Sequence, residues 1–341
     1  MNFQSNYSLK NLNTFGIDAK AKSFTEVNSE DELKAVLQNE KAKQNRILPL
    51  GGGSNMLFTQ DFEGLVIQNS IQGLEIIEQS EKEAIIEVGG GENWHEFVLK
   101  TLENNWGGLE NLSLIPGTVG ASPIQNIGAY GVELKDTFVS LRAMEITTGE
   151  IREFTHQECN FGYRESIFKT DLKGKYIITK VTFRLTHSNH NTNISYGAIS
   201  QVLKEWEVEA PTVQDISRAV ISIRESKLPN PTEIGNCGSF FKNPEIPEAE
   251  FEKVKANFPN IVSYPASKSG FIKVPAGWLI EQCGWKGKKV GNVGTFPKQA
   301  LVIINLGNAT GEEAKNFAME IRKSVWNKFG IEINPEVNLI E

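Results

Sequence analysis

Apolar and polar positions alternate along the chain in two periods, which together predict short strands and amphipathic helices. Ser29 and Glu32 form an S-x-x-E capping box that opens a helix from about Glu30 to Asn39. Short apolar runs predict strands at Arg46–Leu50 and Gly64–Gln68. Leu74–Glu78 and Ala84–Val88 read as a pair around a charged turn, and Phe138–Thr147 with Ile151–Phe154 as a hairpin across Thr148-Gly149. Trp94, Phe97, Val98, Thr101 and Leu102 share one helix face. Lys175–Thr186 alternates as a strand, and a helix carrying Val202 and Leu203 follows Gly197. Further helices are expected from Thr212 to about Lys227, over Glu248–Phe258 and Ala276–Cys283, and from Thr310 to Phe329 with Gly330 as the C′ residue. Leu301–Asn305 reads as a buried strand, and two last short strands flank Asn334-Pro335-Glu336. Strands and helices mixed in this order indicate an α+β protein.

One stretch obeys neither period. Gly107 to Gly131, GGLENLSLIPGTVGASPIQNIGAYG, is glycine-rich yet carries Leu109, Leu112, Ile115, Val119, Ile124, Ile127 and Tyr130. Long irregular segments in compact domains are functional or disordered, and this one has too much to bury to be disordered. It is expected to pack against a large ligand. Two glycine turns, Gly51-Gly52-Gly53-Ser54-Asn55 and Gly89-Gly90-Gly91, end predicted strands nearby. The first can present backbone N–H groups to a phosphate or serve as a plain tight turn. The spacing G-x-G-x-x-G is absent and no G-K-[ST] follows, so neither a Rossmann fingerprint nor a P-loop is present.

The length of 341 residues predicts two or three domains, with a composition break near Glu209-Ala210-Pro211. A net charge of −7 spread along the chain argues against duplex nucleic acid. Cys159, Cys237 and Cys283 form neither a disulfide framework nor a zinc pattern, and the four histidines do not cluster, so no metal site is expected. No secretory segment or membrane-length apolar run is visible, which fits a reducing cytoplasm.

Polar groups with chemical potential sit on irregular backbone: Arg164 after Tyr163, Ser239 after Gly238, and Glu336 after Pro335. Ser239 lacks a G-x-S-x-G elbow and an obvious His partner, which argues against a hydrolytic triad. A serine without a base can still give a proton to a carbanion, and an arginine with a carboxyl group can hold an enolate by hydrogen bonds. Each of the three also has an ordinary reading, as a surface ion pair, a turn hydroxyl and a solvated acid.

The motifs resemble those of the UDP-N-acetylenolpyruvoylglucosamine reductase family, nearly end to end. They are Asn13-Thr14-Phe15-Gly16, Leu48-Pro49-Leu50-Gly51-Gly52-Gly53-Ser54-Asn55, Ile115-Pro116-Gly117-Thr118-Val119-Gly120-Ala121 and Gln125-Asn126-Ile127-Gly128-Ala129-Tyr130-Gly131, followed by Tyr163-Arg164, Lys227-Leu228-Pro229, Gly235 to Pro244, Ala276 to Ile280, and Pro335-Glu336-Val337. Their joint order makes the resemblance specific. It implies an FAD-binding fold of two α+β subdomains, similar to the PCMH/VAO-like flavoproteins and not to Rossmann dehydrogenases, with a third α+β domain for substrate. The implied division is 1–70 (with 331–341 able to return to it), 71–210, and 211–330.

The resemblance further implies a monomeric, cytoplasmic enzyme of cell-wall peptidoglycan synthesis. NADPH would reduce FAD, and the reduced flavin would reduce the enolpyruvyl ether of UDP-N-acetylglucosamine to UDP-N-acetylmuramate. Arg164 and Glu336 match the enolate-stabilising positions, and Ser239 the proton donor. Leu50, Gly51, Gly52, Gly53, Ser54, Asn55, Pro116, Gly117, Thr118, Gly120, Ala121, Ser122, Gln125, Asn126, Gly128, Ala129 and Tyr130 would contact FAD. Lys227, Asn243 and Gln299 match substrate contacts, Arg224 more weakly, and Tyr196 matches the lid tyrosine of the family's first type. Cys237 departs from an expected alanine. A different FAD oxidoreductase of similar fold, or a UDP-sugar-binding regulator, fits part of this pattern. Lys227 and the Gly235–Pro244 loop argue against the first, and Arg164, Ser239 and Glu336 together against the second.

Overall fold

The computed structural model describes residues 2–341, and the chain divides into two units. The first consists of Met1–Tyr7, Ala21–Gly52 and Glu63–Ser226. The second consists of Ser8–Lys20, Gly53–Phe62 and Lys227–Glu341. Among the described residues no helix is long and apolar enough to cross a membrane.

The first unit carries two sheets. Strands Gln4–Ser8, Lys20–Val27, Phe62–Asn69 and Ile47–Leu50 lie side by side in that order. The last two pair in parallel, from Ile47 opposite Leu65 to Leu50 opposite Gln68. Helix Glu30–Gln38 starts at the expected cap, where the Glu32 N–H donates to the Ser29 hydroxyl. Its buried Leu33, Val36 and Leu37 pack on this sheet. The second sheet is antiparallel, in the order Ile151–Thr155, Phe138–Glu145, Tyr176–Thr186, Glu83–Gly89, Leu74–Gln79. Helix Trp94–Glu103 buries Trp94, Phe97, Val98 and Leu102 against Ile86, Val88, Val181 and Phe183, and Phe183 meets the rings of Trp94 and Phe97 at 6.1 and 5.1 Å.

These two sheets were expected to belong to separate subdomains, but they share a core. Met144 and Ile177 of the five-stranded sheet are buried in the cluster built by Val27, Val36, Leu65 and Ile67. Glu30 accepts from the Arg142 guanidinium at 2.7 Å and from the Thr179 hydroxyl at 2.6 Å.

The boundary expected at Pro211 is also displaced. Helix Val213–Lys227 stays with the first unit through all but its last residue. Its Ile216, Ala219, Val220 and Ile223 pack on Ile199 and Leu203. Ser217 shares a 2.8 Å hydrogen bond with Ser113, and Gln214 donates to the Leu102 carbonyl. A composition break marks a connector, and the apolar face of the next helix decides where that helix docks.

In the second unit, strand Gln299–Asn305 lies between Asn236–Ser239 and Val293–Phe296. Helix Gly311–Phe329 has a full capping box at Thr310 and Glu313 and ends on left-handed Gly330. Its Phe317 meets Trp285, and Phe329 meets Phe258 and Trp278. Burying that face contributes about 1.5–3 kcal/mol for each large side chain. Of the two strands expected at the C-terminus, Asn338–Ile340 forms and pairs in parallel with Met56–Phe58. The polypeptide's end thus returns to its first seventy residues, although the strand it joins belongs to the second unit.

Candidate active site

Two loop systems of the first unit come together as a cradle. The turn after buried Leu50 is pressed against Gly117-Thr118. A Cβ at Gly51 would lie 2.4 Å from the Thr118 hydroxyl, and one at Gly52 would lie 3.0 Å from the Gly117 Cα. Only glycine fits that approach, which leaves a bare backbone edge on both loops. The Gly89-Gly90-Gly91 turn closes the other side of the loop: Gly120 N–H donates to the Gly90 carbonyl at 2.8 Å, and a Cβ on Gly90 would meet the Ile178 carbonyl at 2.4 Å. This third turn is packing. The first fits a phosphate-bearing cofactor read by backbone N–H groups.

The irregular stretch Gly107–Gly131 is ordered by its own buried groups. Leu109, Leu112 and Val119 join the core, with short 3-10 turns at Glu110–Leu112 and Val119–Ala121. The Gly117 carbonyl accepts from Trp94 N–H, and the Leu114 N–H donates to His95 Nδ1 at 3.0 Å. Burial holds the His95 imidazole below its ordinary pKa, so it stays neutral as that acceptor.

Not every residue expected on the cofactor faces outward. Ser122 is buried and donates to the Val119 carbonyl at 2.6 Å. Asn126 is fully buried, accepting from Lys135 N–H at 3.1 Å and donating to the Gly162 carbonyl at 3.0 Å. Gly120 is buried against Gly90. Pro116 is exposed, and Gly117, Thr118, Ala121, Gln125, Gly128, Ala129 and Tyr130 are partly exposed along the loop's rim. Gly53, Ser54 and Asn55 belong to the second unit, where Asn338 donates to the Asn55 carbonyl through both its backbone and its side chain.

Arg164 sits in the left-handed region at φ 54°, an uncommon conformation for a bulky residue. Its guanidinium donates to the Gly128 carbonyl and lies 5.7 Å from the Tyr163 ring. The catalytic candidate is therefore locked onto the cradle loop. Arg224, which the sequence marked only weakly, is aimed the same way. Its Nε donates to the Leu114 carbonyl at 3.2 Å, and its guanidinium bonds the Tyr130 hydroxyl. Burial lowers the Arg224 pKa and raises that of Tyr130, while the bond between them opposes both shifts. The Tyr130 ring in turn meets Tyr196 edge-on at 5.1 Å.

The second unit brings Ser239 and Glu336 together. Ser239 ends the strand Asn236–Ser239 and stands opposite Val302. The next residue, Phe240, donates to the Leu301 carbonyl and accepts from the Glu336 N–H, each at 2.8 Å. Ser239 is exposed and Glu336 half-buried. Asn243 Oδ1 accepts from Ala276 N–H at 2.9 Å, and Gln299 Oε1 accepts from Leu301 N–H at 3.3 Å. Lys227 is exposed at the end of its helix. Asn13 and Phe15, conspicuous in the sequence, build the support. Asn13 accepts from Ile17 N–H and donates to the Leu9 carbonyl, and Gly235 fits so closely on the Phe15 carbonyl that a Cβ would lie 2.3 Å from it.

Comparison with known proteins agrees with this geometry. The model of the UDP-N-acetylenolpyruvoylglucosamine reductase C-terminal domain matches residues 230–340, and that of an FAD binding domain matches residues 21–155. A reductase of that name from Flavobacterium johnsoniae is 54% identical over 340 residues, covering 100% of both chains. The chain belongs to the UDP-N-acetylenolpyruvoylglucosamine reductase family. The corresponding protein of Amoebophilus asiaticus is 48% identical, again over 100% of each. The crystal structure of the Thermus caldophilus reductase, at 21% identity, covers 100% of this chain and 98% of its own with a TM-score of 0.65, which supports the fold. The FAD-binding α+β fold expected from the sequence is thereby established.

Proposed function

We infer that this chain is an FAD-dependent NADPH oxidoreductase that reduces UDP-N-acetylglucosamine enolpyruvate to UDP-N-acetylmuramate for peptidoglycan synthesis. The observation that carries the catalytic assignment is the Phe240–Glu336 backbone bond, which joins the backbone next to Ser239 to that of Glu336 in a family with this activity. The chemistry that bound FAD would supply is transfer of a hydride from NADPH to the substrate's double bond. The Gly51-Gly52 turn and the Gly117–Tyr130 rim would hold FAD, with Gly53, Ser54 and Asn55 as further contacts. Gly120, Ser122 and Asn126 would contact it too, while their buried groups fix the shape of the loop.

Each side chain's work follows from its chemistry. Arg164 donates to the substrate carboxylate as negative charge grows there, and its anchorage on Gly128 means little reorganisation at that moment. Glu336 joins Arg164 in stabilising the developing enolate. Ser239 delivers a proton from its Oγ to the carbon next to the carboxylate. Lys227, Asn243 and Gln299 bind the UDP-sugar, and Tyr196 closes over it. The protein works as a cytoplasmic monomer.

The deciding experiment is an anaerobic two-step assay. NADPH is expected to bleach the bound flavin, and the enolpyruvyl UDP-sugar to restore its colour with one equivalent of UDP-N-acetylmuramate formed. A flavin that is reduced by NADPH yet never reoxidised by that substrate would reject the assignment.

A further inference from the structure

Strands Gly128-Ala129 and Val132-Glu133 form a two-residue hairpin, with Gly128 opposite Glu133 and Ala129 opposite Val132. Its central residues are Tyr130 at φ 50° and Gly131 at φ 81°. Two positive φ values mark a type I′ turn, which favours Asn or Gly and penalises a bulky side chain at the first position. Tyr130 occupies that position nonetheless, and both carbonyls of the turn are taken by asparagines. Asn111 Nδ2 donates to the Tyr130 carbonyl at 3.0 Å and to the Asn193 carbonyl at 2.9 Å. Asn193 Nδ2 donates to the Gly131 carbonyl at 3.0 Å.

Asn111 is buried, and its Oδ1 finds no hydrogen-bond partner. An unpaired buried acceptor costs about 1–3 kcal/mol, so stability alone does not explain an asparagine there. The donors do: one NH₂ group ties the turn to the loop that leads into Tyr196. Asn193 Oδ1 meanwhile accepts from the Ser195 N–H and hydroxyl at 3.1 and 2.7 Å, shaping the same loop from within. Upstream, His190 contacts the Thr186 hydroxyl at 2.7 Å. The loop is thus pinned at His190 and again at Asn193. The short run from Ile194 to Gly197 that follows carries Tyr196, whose ring touches Tyr130.

We propose that Asn111 and Asn193 are positioning residues for the reaction. They clamp the strained Tyr130-Gly131 turn to the tyrosine-bearing loop, so that Tyr196 meets the UDP-sugar from a fixed pivot. This rests on the reading of Tyr196 as a substrate contact. Asn193→Asp separates the clamp from the local turn. It keeps the Oδ1 acceptor for Ser195 and replaces the donor facing the Gly131 carbonyl with an oxygen.

The test measures steady-state kinetics of the FAD-loaded enzyme for Asn193→Asp, Asn193→Ala and Tyr196→Phe, with melting temperature and flavin spectrum recorded for each. Losing one such hydrogen bond is expected to raise KM for the enolpyruvyl UDP-sugar about tenfold, with kcat within about twofold. Asn193→Asp and Asn193→Ala should be equally affected, with a wild-type flavin spectrum. A wild-type KM for Asn193→Asp, beside a raised one for Asn193→Ala, would reduce Asn193 to a local turn residue and overturn the clamp. A raised KM for both with Tyr196→Phe unchanged would remove Tyr196 from substrate binding and overturn the claim that the clamp acts through it. An unchanged KM in all three would overturn both.

Discussion

The backbone N–H of Glu336 donates to the carbonyl of Phe240 at 2.8 Å. That bond joins two residues almost one hundred apart in the chain, one of them the neighbour of Ser239. It joins the backbone that carries the hydroxyl to the backbone that carries the acid, and both segments are tied down further. Phe240 is held again by Leu301, and Asn338 by Asn55.

Ser239→Ala is therefore expected to leave NADPH reduction of the flavin nearly unchanged and to slow reoxidation by the enolpyruvyl substrate by about 10²–10⁴-fold, the range for a positioned general acid. Glu336→Gln should act on the same step. Stopped-flow traces at the flavin absorbance measure both, and equal losses in the two half-reactions would make Ser239 a structural residue.

Arg164 supplies a forked donor from a fixed left-handed backbone. Arg164→Lys keeps the charge but cannot bond Gly128 and a carboxylate with the same planar geometry. Reoxidation is expected to slow by about 10–100-fold, as for loss of one or two charge-assisted hydrogen bonds. Single-turnover reoxidation rates would check it, and a rate equal to wild type would remove Arg164 from the reaction.

At the cradle, Gly51→Ala drives a methyl group onto the Thr118 hydroxyl. Overpacking of this kind costs about 1–3 kcal/mol, and the lowered stability should be accompanied by weaker FAD binding. Adding Thr118→Ala removes the clashing atom and should restore the melting temperature. Thermal scans of the two variants test this; no recovery in the double variant would place the strain elsewhere.

Cys237 lies two residues from Ser239, yet burial pushes its thiol up to about 12, and that of Cys159 likewise. Neither should react with iodoacetamide in the folded enzyme at pH 8, as mass spectrometry would show. The folded pKa exceeds the ordinary value of 9.0, so unfolding releases a proton from each thiol once the pH passes that value. Stability is fully present below about pH 9 and falls as pH rises towards 12. Denaturant midpoints across that window should decline, and a flat profile would contradict the assignment.

Much of this was legible in the residues. Ser29–Glu32 and Thr310–Glu313 announced two helix starts, and Gly330 a stop, because capping is settled within four residues. The hairpins at Phe138–Thr155 and Leu74–Gly89 followed from alternation and a turn. Strand Lys20–Val27 was missed, although Ala21, Phe24, Thr25 and Val27 are buried, because small and polar residues carry its buried face. Val293–Phe296 was hidden by Gly294 in a lysine-rich stretch. The side chains of Ser122 and Asn126 turn to the Val119 and Gly162 carbonyls, which their motif does not show, because a motif gives residue order and not which way a side chain turns.

The sequence by itself determined the local elements and, through ordered motifs, the family and its chemistry. It also limited the catalytic candidates to Arg164, Ser239 and Glu336. Tertiary structure alone decided that Met144 and Ile177 merge two sheets into one unit and that the helix after Pro211 stays with them. It also chose Asn111 and Asn193 to close the Tyr130-Gly131 turn. The reason is range. Caps, turns and periodicity act over a few residues. Which apolar face meets which, and which carbonyl a distant asparagine reaches, depends on contacts between segments far apart in the chain.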